Sequence, residues 1–202
     1  MVNLSFLPPP DTMLEKHKSQ EWYTPRRFTD AARAVMGGID LDPASCEVAN
    51  QTVQATTFYT EKQNGLTLPW YGRVWLNPPF GTMKTPFDAA WQGTSVVRLF
   101  IRKLLEDFQE GKIEQAVLLA KADPKQHWFH LLWDYLICFA YDNVYFNRPD
   151  GPAQRNQFGV CFVYLGKNEQ TFIDVFSEFG TVARRVSPPK ARHTPLRLWG
   201  EP

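Results

Sequence analysis

Residues 116–120, Ala-Val-Leu-Leu-Ala, form a short run with no polar member. Such a run reads as a strand covered on both faces, the mark of a parallel sheet between helices. The preceding segment supports this. Val97, Ile101, Leu104, Leu105 and Phe108 fall at helical spacing across residues 95–110, and Gly111 can end that helix. The alternation recurs on both sides. The pattern predicts a helix from Pro25 or Arg26 to Met36, with Gly37-Gly38 as its stop. A strand at Ile39–Asp42 follows, residues 46–60 are ambiguous, and a strand at Arg73–Leu76 runs into Asn77-Pro78-Pro79. Past the apolar run, a helix is predicted over 124–135 and a strand over Leu136–Ala140. Strands at Val144–Phe146 and Phe158–Leu165 are joined by a polar loop, and Glu169–Phe179 fits a last helix. The fold class is therefore α/β, with a mostly parallel sheet and one antiparallel strand on the C-terminal side.

Prolines bracket this pattern. Residues 1–20 read as an arm and residues 188–202 as a Pro-rich basic tail, leaving 21–187 as one domain. A hydrophobic share of 44% and an aromatic share of 14% suffice for a core without staples. The formal net charge is only +1, which excludes a generally basic protein. Any nucleic-acid contact must come from a local patch. Cys46, Cys138 and Cys161 are odd in number and show no CxxC, so they read as free thiols in a reducing compartment. His127 and His130 have no partner ligands nearby, and no metal is expected. No run approaches the ~20 apolar residues of a membrane span. The start of the chain lacks the pattern of a signal peptide, so a cytoplasmic location is expected.

In sheets of this class, ligands bind outside the carboxyl ends of the strands. Two notable segments fall there. The first is Asn77-Pro78-Pro79-Phe80. The exocyclic amino group of adenine or cytosine is a poor nucleophile, because its lone pair is delocalised into the ring. Two acceptors that take its N–H groups favour the tetrahedral geometry needed for attack. Asn77 offers a side-chain carbonyl, and the following proline holds its backbone extended. Pro78 and Pro79 have no N–H, so the segment presents carbonyls without competing donors. Phe80 offers a flat face for an extracted base. The bland alternative is a surface turn, since Asn-Pro starts turns and Pro-Pro is common in loops.

The second segment is Asp40-Leu41-Asp42-Pro43-Ala44-Ser45. A carboxylate at this strand end can accept from an amino group, and Ala44 and Ser45 allow close approach of the backbone. A plain turn and helix start explains it equally well. Upstream, the Thr24 hydroxyl and a helix start at Pro25 can bind a carboxylate, or Trp22 and Tyr23 can simply cover the core edge.

Taken in order, Glu21-Trp22-Tyr23-Thr24-Pro25, Leu41-Asp42-Pro43-Ala44-Ser45, Asn64-Gly65-Leu66 and Val74-Trp75-Leu76-Asn77-Pro78-Pro79-Phe80 resemble the phage-type DNA N6-adenine methyltransferases, the phage Dam-like family. The likeness runs from about Glu21 to Leu165. It implies a single Rossmann-like methyltransferase domain with a seven-stranded sheet. It implies S-adenosylmethionine as methyl donor and adenine in DNA as acceptor. By position, Asn77, Pro78, Pro79 and Phe80 are then the catalytic segment, and Trp22, Thr24, Pro25, Asp42, Pro43 and Ala44 line the cofactor site. Where the family often has Asp-Gly-Leu, this chain has Asn64, whose carbonyl can accept the same hydrogen bond. Glu47 is the nearest carboxylate for the cofactor ribose. The catalytic segment often ends in Tyr in this family, and Phe80 keeps the ring without the hydroxyl.

A base inside a duplex is out of reach, so the target must be flipped out or single-stranded. Candidate contacts are Lys121 and Lys125 near one strand end, and Arg148 and Arg155 in the polar loop 147–157. The basic tail from Thr181 offers another strip, which can equally be a solvated surface. Three alternatives stay open: N4-cytosine methylation, an RNA base or protein amide as acceptor, and a nonenzymatic nucleic-acid-binding module. Oligomeric state does not follow from the chain.

Overall fold

The computed structural model describes residues 22–80, 95–148 and 151–186. The expected arm at 1–20 and the tail at 188–202 lie outside them.

Pro25 stands at the N-cap of α1 (Arg26–Met36), where its fixed φ suits a helix entry and its missing N–H costs nothing. Gly37 ends the helix in the left-handed conformation, at φ 77°, and its N–H closes on the Arg33 carbonyl at 2.7 Å. One face of α1, with Phe28, Ala32, Val35 and Met36, is buried. Next come β1 (Leu41–Asp42), α2 (Glu47–Val53), β2 (Thr57–Phe58) and β3 (Gly72–Leu76). Then follow α3 (Val96–Gln109), β4 (Ile113–Lys121) and β5 (Leu136–Ala140). The hairpin β6 (Tyr145–Arg148) and β7 (Gly151–Arg155) precedes β8 (Val160–Leu165), α4 (Glu169–Phe176) and β9 (Gly180–Ala183).

Seven strands form one sheet in the order β2-β1-β3-β4-β8-β5-β9, and β6 and β7 pair separately. The apolar run behaves as its composition requires. Ala116, Leu118 and Ala120 enter one core with Ile101 and Leu104 of α3. Val117 and Leu119 enter the other core, with Phe28 of α1 and Phe172 and Phe176 of α4. Each valine, leucine, isoleucine or phenylalanine side chain so removed from water contributes roughly 1.5–3 kcal/mol. Helices thus cover both faces, as a buried parallel strand demands.

Several expectations change. β8 and β9 both run against the other five strands, so there are two antiparallel strands rather than one. β9 was not anticipated. It is a short edge strand, and Gly180 lies so close to Phe139 that a Cβ would meet its carbonyl oxygen at 2.0 Å. Residues 124–135 form turns and a 3-10 segment at Phe129–Leu131 in place of the expected helix. The Asp123 side chain takes up the Lys125 N–H and the Gln126 amide, and Trp128, Phe129 and Leu132 are buried by packing alone. Asp thereby offers the backbone an alternative to the helix ladder. The polar loop 147–157 is largely the β6–β7 hairpin. β7 is exposed along its whole length, so no burial pattern marks it.

Candidate active site

β1 ends at Asp42, β3 at Leu76 and β4 at Lys121. Leu41 is level with Val74, and Leu76 with Leu118. The register therefore sets Asp42–Ser45 alongside the Leu76–Pro78 turn. β4 runs three residues beyond the end of β3, so Lys121 overhangs that turn.

Asn77 leaves β3 half-buried. Its Nδ2 donates to the Trp22 carbonyl and to Thr24 Oγ1, each at 3.3 Å. Its Oδ1 is buried and has no partner among the described residues. The amide is thus fixed with both visible bonds on nitrogen and its acceptor unused. An unpaired buried acceptor carries a desolvation cost of about 1–3 kcal/mol, which a ligand donor can relieve. Pro78, buried behind it, adds a carbonyl and no donor.

Phe80 meets Phe158, with ring centroids 6.0 Å apart. The Lys121 ammonium lies over both rings, 4.8 Å from the Phe80 centroid and 4.0 Å from that of Phe158. Partial burial pulls the Lys121 pKa below its ordinary value, with Asp123 opposing. Phe158 was missed as a site residue. It sits at the start of an apolar strand, and only the Lys121–Val160 register brings it to Phe80.

The other wall is polar and buried. Asp42 is 3% exposed and faces no cation among the described residues. Burial pushes its carboxyl up to about 7, against the Ala44 N–H, which donates to Oδ1 at 3.2 Å, and the Ser45 side chain. Pro43 is buried and Ala44 half-buried. Ser45 Oγ is buried beside this carboxyl. Asn64 packs near this wall, because Gly65 comes so close to Pro43 that a Cβ would meet its carbonyl oxygen at 2.0 Å. The Asn64 carbonyl, expected to be a free acceptor, takes the Leu66 N–H at 3.3 Å, and the unpartnered atom is the donor Nδ2. Glu47 is exposed at the start of α2.

This chain matches the family model described as DNA N-6-adenine-methyltransferase (Dam) over residues 11–148, more than half its length. It belongs to the Dam family. A search of curated proteins finds no match. Among solved structures, the chain is similar to the "putative RNA methyltransferase PH1948" from Pyrococcus horikoshii. That likeness has 13% identity and a TM-score of 0.45, covering 81% of this chain and 93% of the other.

The remaining candidates of this Dam-family chain are dispersed. Trp22 and Thr24 contact Asn77, while Pro25 caps α1. The Tyr23 backbone pairs with Asn147 of β6 at 3.0 and 2.9 Å, and the Trp22 ring meets the Phe146 ring edge-on at 5.5 Å. Lys125 lies in an exposed turn after β4. On the hairpin, Arg148 donates to Gln154 Oε1 at 2.6 Å. Arg155 is exposed and reaches the Asn143 carbonyl at 2.8 and 3.2 Å once that amide is turned to face it. Beside them, Asn143, Gln154, Arg155, Asn156 and Gln157 line a cleft of about 500 Å³. Asn156 is 1% exposed, with both amide atoms unpartnered among the described residues. It was missed because one Asn in a polar loop carries no signal of burial. No described helix is long and apolar enough to cross a membrane.

Proposed function

We propose that this chain transfers a methyl group from S-adenosylmethionine to the N6 amino group of adenine in DNA, at the Asn77-Pro78-Pro79-Phe80 segment. The observation that carries the reading is Asn77 Oδ1, a buried acceptor with no partner on an amide whose nitrogen is already held.

The polar wall fits the cofactor. Asp42 has a buried carboxylate that lacks a cation, suited to the amino group of the methionine portion. Asn64 Nδ2 is buried and unpaired among the described residues, suited to another polar atom of the ligand. When bound, S-adenosylmethionine supplies an electrophilic methyl group. This chain's residues do the rest. Asn77 Oδ1 and the Pro78 carbonyl accept the two N–H groups of the adenine amino nitrogen and draw it toward tetrahedral geometry. The Lys121 ammonium occupies one face of Phe80, and the flipped base stacks on the other, a contact of roughly 1–3 kcal/mol. Both acceptors are neutral carbonyls, so the amino group keeps its protons until attack. The target strand is held by the exposed cations Lys125 and Arg155 and by the half-buried Arg148.

The test is methyl transfer to defined DNA duplexes with identification of the modified nucleoside. N6-methyl-2′-deoxyadenosine is expected, and Asn77→Ala should lower turnover about 10²–10³-fold with cofactor affinity nearly unchanged. A product of 4-methylcytosine, or transfer to RNA or protein and not DNA, would overturn the acceptor assignment. Equal loss of turnover and cofactor binding in Asn77→Ala would overturn the role of Asn77.

A further inference from the structure

We infer that the cleft at the root of the β6–β7 hairpin is a second nucleobase site, in which the Asn156 side chain reads a paired adenine near the target base. The inference rests on the reading of DNA as the substrate, and it adds a determinant of sequence that neither strand-end motif contains.

The Asn156 backbone N–H is anchored on the Val144 carbonyl at 3.1 Å. Arg155 closes β7 and is exposed, as is Tyr145, its partner across the hairpin. The alternation that turns Arg155 outward turns Asn156 inward. It lies at the floor of the cleft of about 500 Å³ that Asn143, Gln154, Arg155 and Gln157 complete. There it is 1% exposed, and neither Oδ1 nor Nδ2 has a partner among the described residues. An apolar side chain of the same size would suit a place beside buried Val144 and Phe146, whereas an amide buried with both ends unpaired works against folding. What the amide offers in return is one donor and one acceptor side by side. The rim consists of exposed side chains, whose rotation alone admits a flat edge to the floor.

The surroundings make the ligand a base of DNA. Tyr145 is 53% exposed and Tyr141 70% exposed, so aromatic faces stand open beside the Arg155 cation, a combination suited to bases and phosphates. The position agrees. Phe158 follows Asn156 by two residues and meets Phe80, with ring centroids 6.0 Å apart. Two residues of chain span at most about 7 Å, so the cleft lies a few base-pair steps from a base stacked on Phe80. Only the target base has to leave the stack, and its neighbours stay paired. In paired DNA, the major-groove edge with a donor beside an acceptor belongs to adenine, through N6 and N7. Guanine shows two acceptors there, cytosine a donor and thymine an acceptor. The Asn156 amide matches the adenine edge with both bonds at once.

The experiment uses duplexes randomised on both sides of one adenine, with the methylated products sequenced. Duplexes bound from the same pool without S-adenosylmethionine are sequenced in parallel. The unmodified protein should select adenine at one flanking position by about 5–150-fold, the discrimination of one bidentate pair. Asn156→Leu, which keeps the volume and removes both polar atoms, should bring that preference to within about 2-fold. Replacing that adenine by 7-deazaadenine keeps its pairing and removes only the N7 acceptor. This should weaken the unmodified protein at least about 3-fold and Asn156→Leu less than about 2-fold. The first half of that comparison needs no variant, so it stands whether or not Asn156→Leu folds. No flanking adenine preference, the same preference in Asn156→Leu, or an unmodified protein indifferent to 7-deazaadenine would each overturn the inference. The binding arm needs no methyl transfer. Adenine-dependent affinity that Asn156→Leu loses, with no methylated DNA from the unmodified protein, would fault the methyl-acceptor reading and sustain this site.

Discussion

Asp40 and Asp42 lie two residues apart at opposite ends of β1, and their surroundings differ in kind. Asp40 is gripped by Arg73. The Arg73 Nε and backbone N–H donate to Oδ2 at 2.8 Å each, Nη2 donates to Oδ1 at 2.6 Å, and Nη1 reaches the Gly37 carbonyl at 2.7 Å. These hydrogen bonds hold the Asp40 carboxyl below its ordinary range, against some desolvation. Asp42 is more deeply buried and has no cation among the described residues, and its carboxyl is pushed up to about 7. The contrast extends beyond the pair. At the start of β4, Gln115, Tyr164 and Asn168 form a closed network, with the Tyr164 hydroxyl donating to Gln115 at 2.7 Å and accepting the Asn168 N–H at 2.9 Å. At the carboxyl ends, Asn64 Nδ2 and Asn77 Oδ1 are buried with no partner among the described residues. One end of the sheet is completed by the protein. The other keeps buried polar atoms unpaired among the described residues, and unsatisfied groups of this kind concentrate at functional sites.

The largest expected effect tests the open end. If Asp42 meets the amino group of S-adenosylmethionine, Asp42→Asn leaves that cation without a buried counter-charge. Losing one partner of a buried charge pair costs about 2–5 kcal/mol. Calorimetric titration should therefore show affinity reduced by at least tenfold. Retention within threefold would mean that Asp42 is open for another reason.

The closed end is tested by stability. Arg73→Ala removes three hydrogen bonds, those of Nε, Nη1 and Nη2, and leaves Asp40 without its cation. Both side chains keep some contact with water, 31% for Arg73 and 27% for Asp40, so solvent offsets part of the loss. A drop of about 1–2 kcal/mol in chemical denaturation is expected at neutral pH. The sign with pH follows from the lowered carboxyl. Stability from this pair is present above 3.8, the ordinary value, and is lost as pH falls through the lower folded value. A variant as stable as the parent at pH 7 would break the contrast between the two ends.

The two ends also differ in how well the sequence announces them. Asn77-Pro78-Pro79-Phe80 and Asp42-Pro43-Ala44-Ser45 are local patterns, and each strand end is visible from an apolar run meeting proline. The strand Leu136–Ala140 and the stop of α1 at Gly37 were legible for the same reason: the signal and the structure occupy the same few residues. What was not legible is made by distant partners. The sequence does not pair Phe158 with Phe80, since their meeting depends on β8 inserting antiparallel between β4 and β5. β7 is a strand only because β6 lies beside it, as its residues Gly151–Arg155 have poor strand propensity and no buried face. The orientation of the Asn64 amide is a three-dimensional choice too. Its left-handed backbone, at φ 54°, turns the carbonyl onto Leu66 and leaves nitrogen over. Letters can nominate an amide for a site, but which of its atoms is free is set by the neighbours that fold against it.

The smallest expected effect is also the one that tests the contrast without any ligand. Burial lifts the Asp42 carboxyl from 3.8 to about 7, so between these values the folded protein keeps a proton that the unfolded chain releases. Stability contributed at this site is then highest below 3.8, declines as pH rises through the window, and stays low above 7. Asp42→Asn replaces the carboxylate with a neutral group of nearly the same shape. The ligand-free variant should therefore be more stable than the parent at pH 8, by about 0.5–2 kcal/mol, the usual gain when a functional residue is relieved of its cost. The gain should shrink steadily as pH falls through this window, where the folded parent carboxyl becomes neutral, and level off below 3.8. Measured across pH by denaturant titration, this profile runs opposite to that of the Asp40–Arg73 pair, whose contribution grows from acid toward neutral pH. A gain that is flat with pH would assign the effect to packing rather than charge, and a loss at pH 8 would mean that Asp42 has a counter-charge in the free protein after all.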